Sequence, residues 1–181
     1  MPHFHVISGC SGGGKSSLLA ELGQRGHSIV PEPGRRIVAK EQAGDGAALP
    51  WSNPAAFARR AIALSLRDLE ENRSAESVVF FDRGLIDAAC ALLHTSPGKN
   101  EEDRVLALCA QHRYQPVVFM TPPWPEIYVN DAQRKHDLYA AVAEYERLCA
   151  FYPKLGYRLI ELPRNGIAFR ADFVEAHIGK T

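Results

Sequence analysis

Residues 9–17 read Gly9-Cys10-Ser11-Gly12-Gly13-Gly14-Lys15-Ser16-Ser17, and their reading decides the fold. They follow a short apolar run, Phe4 to Ile7, and lead into an apolar-periodic stretch that begins at Leu18. The pattern is G-x-x-x-x-G-K-S between a predicted strand and a predicted helix. Gly9, Gly12, Gly13 and Gly14 let the backbone turn without Cβ clashes, so that successive N–H groups can converge on an anion. A helix starting near Lys15 adds its unpaired N-terminal N–H groups and the positive end of its dipole. Lys15 is spaced to reach β- and γ-phosphates, and Ser16 to place its hydroxyl on Mg²⁺. Ser11 and Ser17 count with them as cofactor-binding positions. The stretch predicts a phosphate-cradling loop.

Outward from that loop the chain alternates. Strands are predicted over 3–8, 28–30, 77–81, 116–120 and 157–162, short and largely apolar as parallel strands covered on both faces should be. Helices are predicted over 16–25, 35–43, 54–72, 85–93, 101–112, 137–152 and 168–177. Asn53 is placed to cap the third helix with Pro54 at its first position. That helix carries an apolar stripe of Phe57, Ala61 and Leu64 beside Ile62, Leu66 and Leu69. The sixth carries Leu138, Val142, Tyr145, Cys149 and Tyr152. Strand–helix alternation implies an α/β fold with helices on both faces of a five-stranded parallel sheet.

Ligands in such sheets bind beyond the carboxyl ends of the strands, so the residues there matter most. After strand one comes the phosphate loop; after strand two, Glu32; after strand three, Asp82-Arg83. After strand four comes Thr121-Pro122-Pro123-Trp124-Pro125, which is read as irregular. All converge on one rim. Asp82, behind an apolar strand, is placed to serve Mg²⁺ together with Ser16, with a turn or capping aspartate as the structural alternative. Arg83 would aim a planar cation at phosphate or at a substrate carboxylate. Glu32, between Pro31 and Pro33, is held so that it could take the proton of an attacking hydroxyl. Arg134 and Lys135 close a polar segment, 121–136, read as a lid that delivers cations and excludes water. Arg35, Arg36, Arg59 and Arg60 stay open, facing either the site or solvent.

At 181 residues the chain suits one domain with a single core. Its formal net charge of zero provides no field for nucleic acid or anionic membrane. The N-terminus enters a strand almost directly, without the basic segment and apolar core of a signal peptide, so a cytoplasmic protein is expected. Four scattered cysteines with no C-x-x-C pair read as reduced packing residues, and seven histidines show no metal-ligand spacing.

Taken together, these motifs resemble the nucleoside-kinase-like branch of P-loop proteins. Within it the chain is similar to a small NTPase-domain family related to ribosylnicotinamide kinase. The shared stretches are Glu-Pro-Gly-Arg at Glu32 to Arg35, Asp-Arg-Gly-Leu-x-Asp at Asp82 to Asp87, and a closing Arg-x-Asp-Phe at Arg170 to Phe173. The resemblance implies a three-layer α/β/α P-loop NTPase fold and an ATP- and Mg²⁺-dependent kinase for a small hydroxylated metabolite, nucleoside-like or other. The Asp-Gly-x-Arg pattern expected of ribosylnicotinamide kinases does not occur between Pro122 and Arg134, which argues against nicotinamide riboside as the acceptor. Two other functions remain open: a nucleotide-gated ATPase switch signalling to a protein partner, and a toxin-type kinase. The Asn-Lys-x-Asp base motif of guanine-nucleotide switches is missing from the relevant region, and the length leaves little room for the separate helical lid of a ring ATPase.

Overall fold

The computed structural model describes residues 3–44, 46–127 and 138–178. Its strands are β1 (Phe4–Gly9), β2 (Ser28–Val30), β3 (Val79–Asp82), β4 (Val117–Thr121) and β5 (Arg158–Glu161). They form one sheet in the order β2-β3-β1-β4-β5, every neighbouring pair parallel. The helices are α1 (Lys15–Gln24), α2 (Pro33–Gln42), α3 (Pro54–Glu71), α4 (Leu85–Thr95), α5 (Lys99–Gln111), α6 (Leu138–Lys154) and α7 (Ile167–Ile178). Because β1 sits in the middle, all of its side chains are buried, and alternate residues enter opposite cores. Phe4 and Val6 join Phe81, Val118 and Met120 on the face covered by α3, α4 and α6. Ile7 joins Phe80 and Phe119 on the face covered by Leu18, Leu19 and Leu22 of α1 and by Ala171 and Val174 of α7. This is the expected three-layer arrangement.

Several local expectations shift. Thr121 is the last residue of β4 and not part of an irregular segment, because it pairs with Gly9 and its carbonyl accepts the Cys10 N–H at 2.8 Å. Only from Pro122 does the chain leave the sheet, and Pro125–Ile127 then forms a short 3₁₀ turn. α2 starts at Pro33 and not at Arg35; proline suits the first helical position, where no N–H is required, and Glu32 becomes the N-cap residue. Asn53 caps α3 as expected, its side chain accepting the Ala56 N–H at 3.1 Å.

α3 buries Ala61, Ile62 and Leu69 of the expected stripe, packs Phe57, Leu64 and Leu66 partly buried against the core, and adds Ala58, Ser65 and Asp68 to its buried face. Asp68 belongs there because Arg36 Nη1 donates to both of its oxygens, at 2.9 and 2.8 Å. On α6 the buried face lies one residue from the expected stripe: Ala141, Leu148 and Tyr152 are buried, while Val142, Tyr145 and Cys149 lie on the flank. Among the described residues no helix is long and apolar enough to cross a membrane, and no cluster of three metal-ligating side chains occurs.

Candidate active site

The phosphate loop leaves β1 through backbone that only glycine accepts readily. Gly9, Gly12 and Gly14 have φ of 114°, 81° and 76°. At Gly9 the demand is double, since a Cβ would stand 2.3 Å from the Thr121 carbonyl oxygen. α1 then starts at Lys15 with Gly14 as N-cap and no side-chain cap, so its first N–H groups stay open towards the loop. Lys15 is buried, and its ammonium donates to the carbonyls of Cys10 at 2.8 Å and Gly9 at 3.4 Å. Burial, followed by the Arg83 charge, holds its pKa below the usual lysine range. Neutral carbonyls are weak partners for a buried ammonium, and an incoming phosphate would be a stronger one. Cys10 is buried with its thiol pKa pushed up, which agrees with a packing residue.

β3 delivers Asp82 and Arg83 to the same rim. Asp82 is buried; burial first, then the Glu32 charge, raises its pKa to about 6 against the pull of Lys15 and Arg83. Its Oδ1 lacks a hydrogen-bond partner. Asp82 lines a cavity of about 350 Å³ together with Ser16, Glu32 and Arg35. A hydroxyl and a carboxylate oxygen without a donor, sharing one cavity beside the phosphate loop, form a hard oxygen set that suits Mg²⁺.

Arg83 is the one described non-glycine residue with positive φ, 59°. The turn directs its guanidinium inward, where it is held from three sides. It makes a two-pronged ion pair with Glu144 of α6, at 2.5 and 3.1 Å, and donates to the Gly9 carbonyl at 3.1 Å. Its Nε lies 3.8 Å from Glu32 Oε1. Glu32 in turn accepts from Arg35 Nε at 3.1 Å. Glu32, Phe57, Arg83 and Glu144 thus wall a small cavity of about 80 Å³ beside the loop. Below it Asp87 is saturated: Ser8 Oγ donates to it, as do the Tyr152 hydroxyl at 2.7 Å and the Gly84 N–H at 3.0 Å. It braces β1, α4 and α6 under the site.

Of the four arginines left open by the sequence, Arg35 and Arg36 line the Ser16–Asp82 cavity, although Arg36 is committed to Asp68. Arg59 pairs with Glu101 at 2.9 Å, and Arg60 with Glu41. Arg134, Lys135 and the expected lid beyond Ile127 lie outside the described residues.

A larger cavity, about 590 Å³, opens on the other side of the loop. Gly12, Gly14, Ser16 and Ser17 form one wall. Trp124, Ile127, Ile167 and Arg170 form the other. Three cavities therefore surround the site: the 350 and 590 Å³ cavities both reach the phosphate loop at Ser16, and the small one lies behind Glu32 and Arg83.

A family model described as an AAA domain matches residues 4–170. The chain belongs to this AAA-domain family. A search of the curated proteins returned no match. Among solved structures, a NadR protein in complex with NR superimposes with a TM-score of 0.74 at 17% identity, covering 99% of this chain and 52% of that one. The AAA-domain chain thus spans about half the length of that protein. A deoxyadenosine kinase from M. mycoides, with products dCMP and dCDP, gives 0.63 at 13% identity over 97% of this chain and 98% of that one. The same kinase with bound dATP gives 0.60 at 13% identity over 98% and 100%. At these identities the likeness establishes the fold, a P-loop NTPase sheet with helices on both sides.

Two site residues of the AAA-domain chain escaped the sequence reading. Glu144 was hidden because the apolar stripe of α6 was placed one residue away; an acid in register with Ala141, Leu148 and Tyr152 was the available signal. Arg170 appeared only as part of a closing motif, although it stands beside Ala171 on the buried face of α7.

Proposed function

We propose that this AAA-domain protein is a Mg²⁺-dependent phosphotransferase that moves the γ-phosphoryl group of ATP to a hydroxyl of a small metabolite. The observation that carries this reading is the small cavity walled by Glu32, Phe57, Arg83 and Glu144, separate from the one lined by Gly12, Ser17 and Trp124. Arg83 joins the Gly9 carbonyl, where the phosphate loop begins, to Glu32 and Glu144, so a walled space for an acceptor adjoins the loop. A protein that only sensed nucleotide would not require such a space.

In this reading the loop N–H groups from Gly12 to Ser17 and the start of α1 hold the phosphates, and Ser11 adds a hydroxyl. Lys15 leaves its two carbonyls for the β- and γ-phosphates. Ser16 and Asp82 would hold the Mg²⁺, which when bound would supply positive charge to the phosphates. Glu32 accepts the proton of the acceptor hydroxyl as that oxygen bonds to the γ-phosphorus. The bond from the γ-phosphorus to the β,γ-bridging oxygen breaks, and ADP leaves. Arg83, fixed by Glu144, orients Glu32 and steadies charge at the acceptor side. Arg134 keeps its expected role as a cation supplied to the transferring group. The same reading carries the expectation of a cytoplasmic enzyme whose partner is a small-molecule acceptor.

The test is ADP formation from ATP·Mg²⁺ across a panel of hydroxylated metabolites, nucleosides first. Stimulation of tenfold or more by one compound, abolished by Lys15→Ala, is the expected outcome. Slow release that no acceptor changes would favour the nucleotide-gated switch, and the acceptor reading would be abandoned.

A further inference from the structure

Among the described residues Arg170 is the largest side chain to be almost fully buried, at 2% exposure. Its guanidinium carries five N–H donors, yet among the described residues it makes one hydrogen bond, from Nη2 to the Gly13 carbonyl at 3.1 Å, and Nε is buried without a partner. The other inward arginines have carboxylates: Arg83 has Glu144 and Arg36 has Asp68. For Arg170, burial alone is resolved as an influence on its pKa, which it lowers; among the described residues no acid counters it.

Its placement makes the missing counter-charge more conspicuous. Nη1 lies 2.7 Å from where a Cβ on Gly14 would stand, so the cation hangs over the open N-terminus of α1. Two positive features, a guanidinium and a helix dipole, meet there. Trp124 lies under the guanidinium at 5.7 Å. Its ring, with Ile127 and Ile167, gives the rest of the cavity an apolar wall. An occupant must be anionic at the loop end and flat or apolar at the other.

Resting on the nucleotide-binding reading above, we propose that Arg170 is a ligand contact: it pairs with the α-phosphate of the donor nucleotide, at the junction between the loop and the nucleoside. The β- and γ-phosphates belong to Lys15 and the loop N–H groups. Arg170 stands against Gly13 and Gly14 and lines the same cavity as Ser17, Trp124 and Ile167, so in this reading the phosphate nearest the nucleoside passes it on the way out of the loop.

Binding of ADP·Mg²⁺, measured by titration calorimetry beside a melt of the ligand-free protein, tests this with wild type, Arg170→Met and Arg170→Lys. Arg170→Met should weaken ADP·Mg²⁺ roughly 10- to 100-fold, as loss of a charge-assisted hydrogen-bond partner does. Arg170→Lys should recover part of that loss, and the ligand-free melting temperature of Arg170→Met should stay level or rise. Undiminished affinity in Arg170→Met would overturn the inference. So would a lowered ligand-free melt with no recovery by Arg170→Lys, which would make the residue a packing element. If wild type itself failed to bind ADP·Mg²⁺, the underlying nucleotide reading would fall first, and this inference with it.

Discussion

His5 should make the protein lose stability on mild acidification. It lies on β1 at 2% exposure, its ring 5.7 Å from Phe80 and 6.4 Å from Phe119, with Nδ1 unpartnered. Burial, then the neighbouring His3 and His27, lowers its pKa from 6.5 to about 4. Above pH 6.5 the imidazole is neutral in both states and contributes no pH dependence. Below it the unfolded chain takes up a proton that the folded chain refuses, so stability falls until about pH 4 and then levels. At about 1.4 kcal/mol per pH unit the whole window is worth about 3 kcal/mol, of which about 2.5 is lost by pH 4.5. Urea unfolding at pH 7.5 and 4.5 measures this, with His5→Leu as the control because it keeps the volume and removes the titration. The carboxylates titrate in both proteins and cancel in the comparison. His5→Leu should be at least as stable as wild type at pH 7.5, within about 1 kcal/mol, since an unpartnered polar atom is removed. Its loss between the two pH values should be smaller by about 2.5 kcal/mol. Equal pH dependence in the two proteins would refute the argument.

Lys15→Ala should fold, melt no lower than wild type, and show no thermal shift with ADP·Mg²⁺; a retained shift would remove Lys15 from the phosphates. Glu32→Gln should spare nucleotide affinity and cut acceptor-dependent turnover by roughly two to four orders of magnitude. Asp82→Asn should instead move the Mg²⁺ titration to higher concentration, and an exchange of these two phenotypes would reverse their roles. Gly84→Ala should cost about 1–3 kcal/mol in urea unfolding. A Cβ there would meet the Tyr114 hydroxyl oxygen at 2.4 Å, and that oxygen already accepts the Leu85 N–H. An unchanged midpoint would mean that the ring moves freely.

What was legible in the sequence was whatever depends on neighbours along the chain. The phosphate loop, the Asn53-Pro54 helix start and the five strands are local patterns, and they appear within a residue or two of expectation. Glu32 and Asp82 end adjacent strands, so strand ends alone brought them together. What was missed is the polar membership of the inward faces of the long helices. Choosing the face of α6 by apolar residues took in Tyr145 and Cys149, which are only partly buried, and passed over Glu144, which is drawn inward by Arg83. Asp68 was lost on α3 for the same reason. Arg170 depends on a contact 157 residues away, which no local pattern encodes.

The uncapped start of α1 has a consequence for how this protein persists. Its first-turn N–H groups, the orphaned Asp82 oxygen and the Arg170 guanidinium, for which no carboxylate stands among the described residues, all lower the stability of the ligand-free chain around one loop. Nucleotide bound with Mg²⁺ would offset those deficits together, acting as a missing piece of the folded structure. A nucleotide pool at 100 times the dissociation constant adds about 2.7 kcal/mol to the resistance against unfolding. Proteolytic lifetime should then follow nucleotide supply, with the protein surviving longest where its substrate is plentiful.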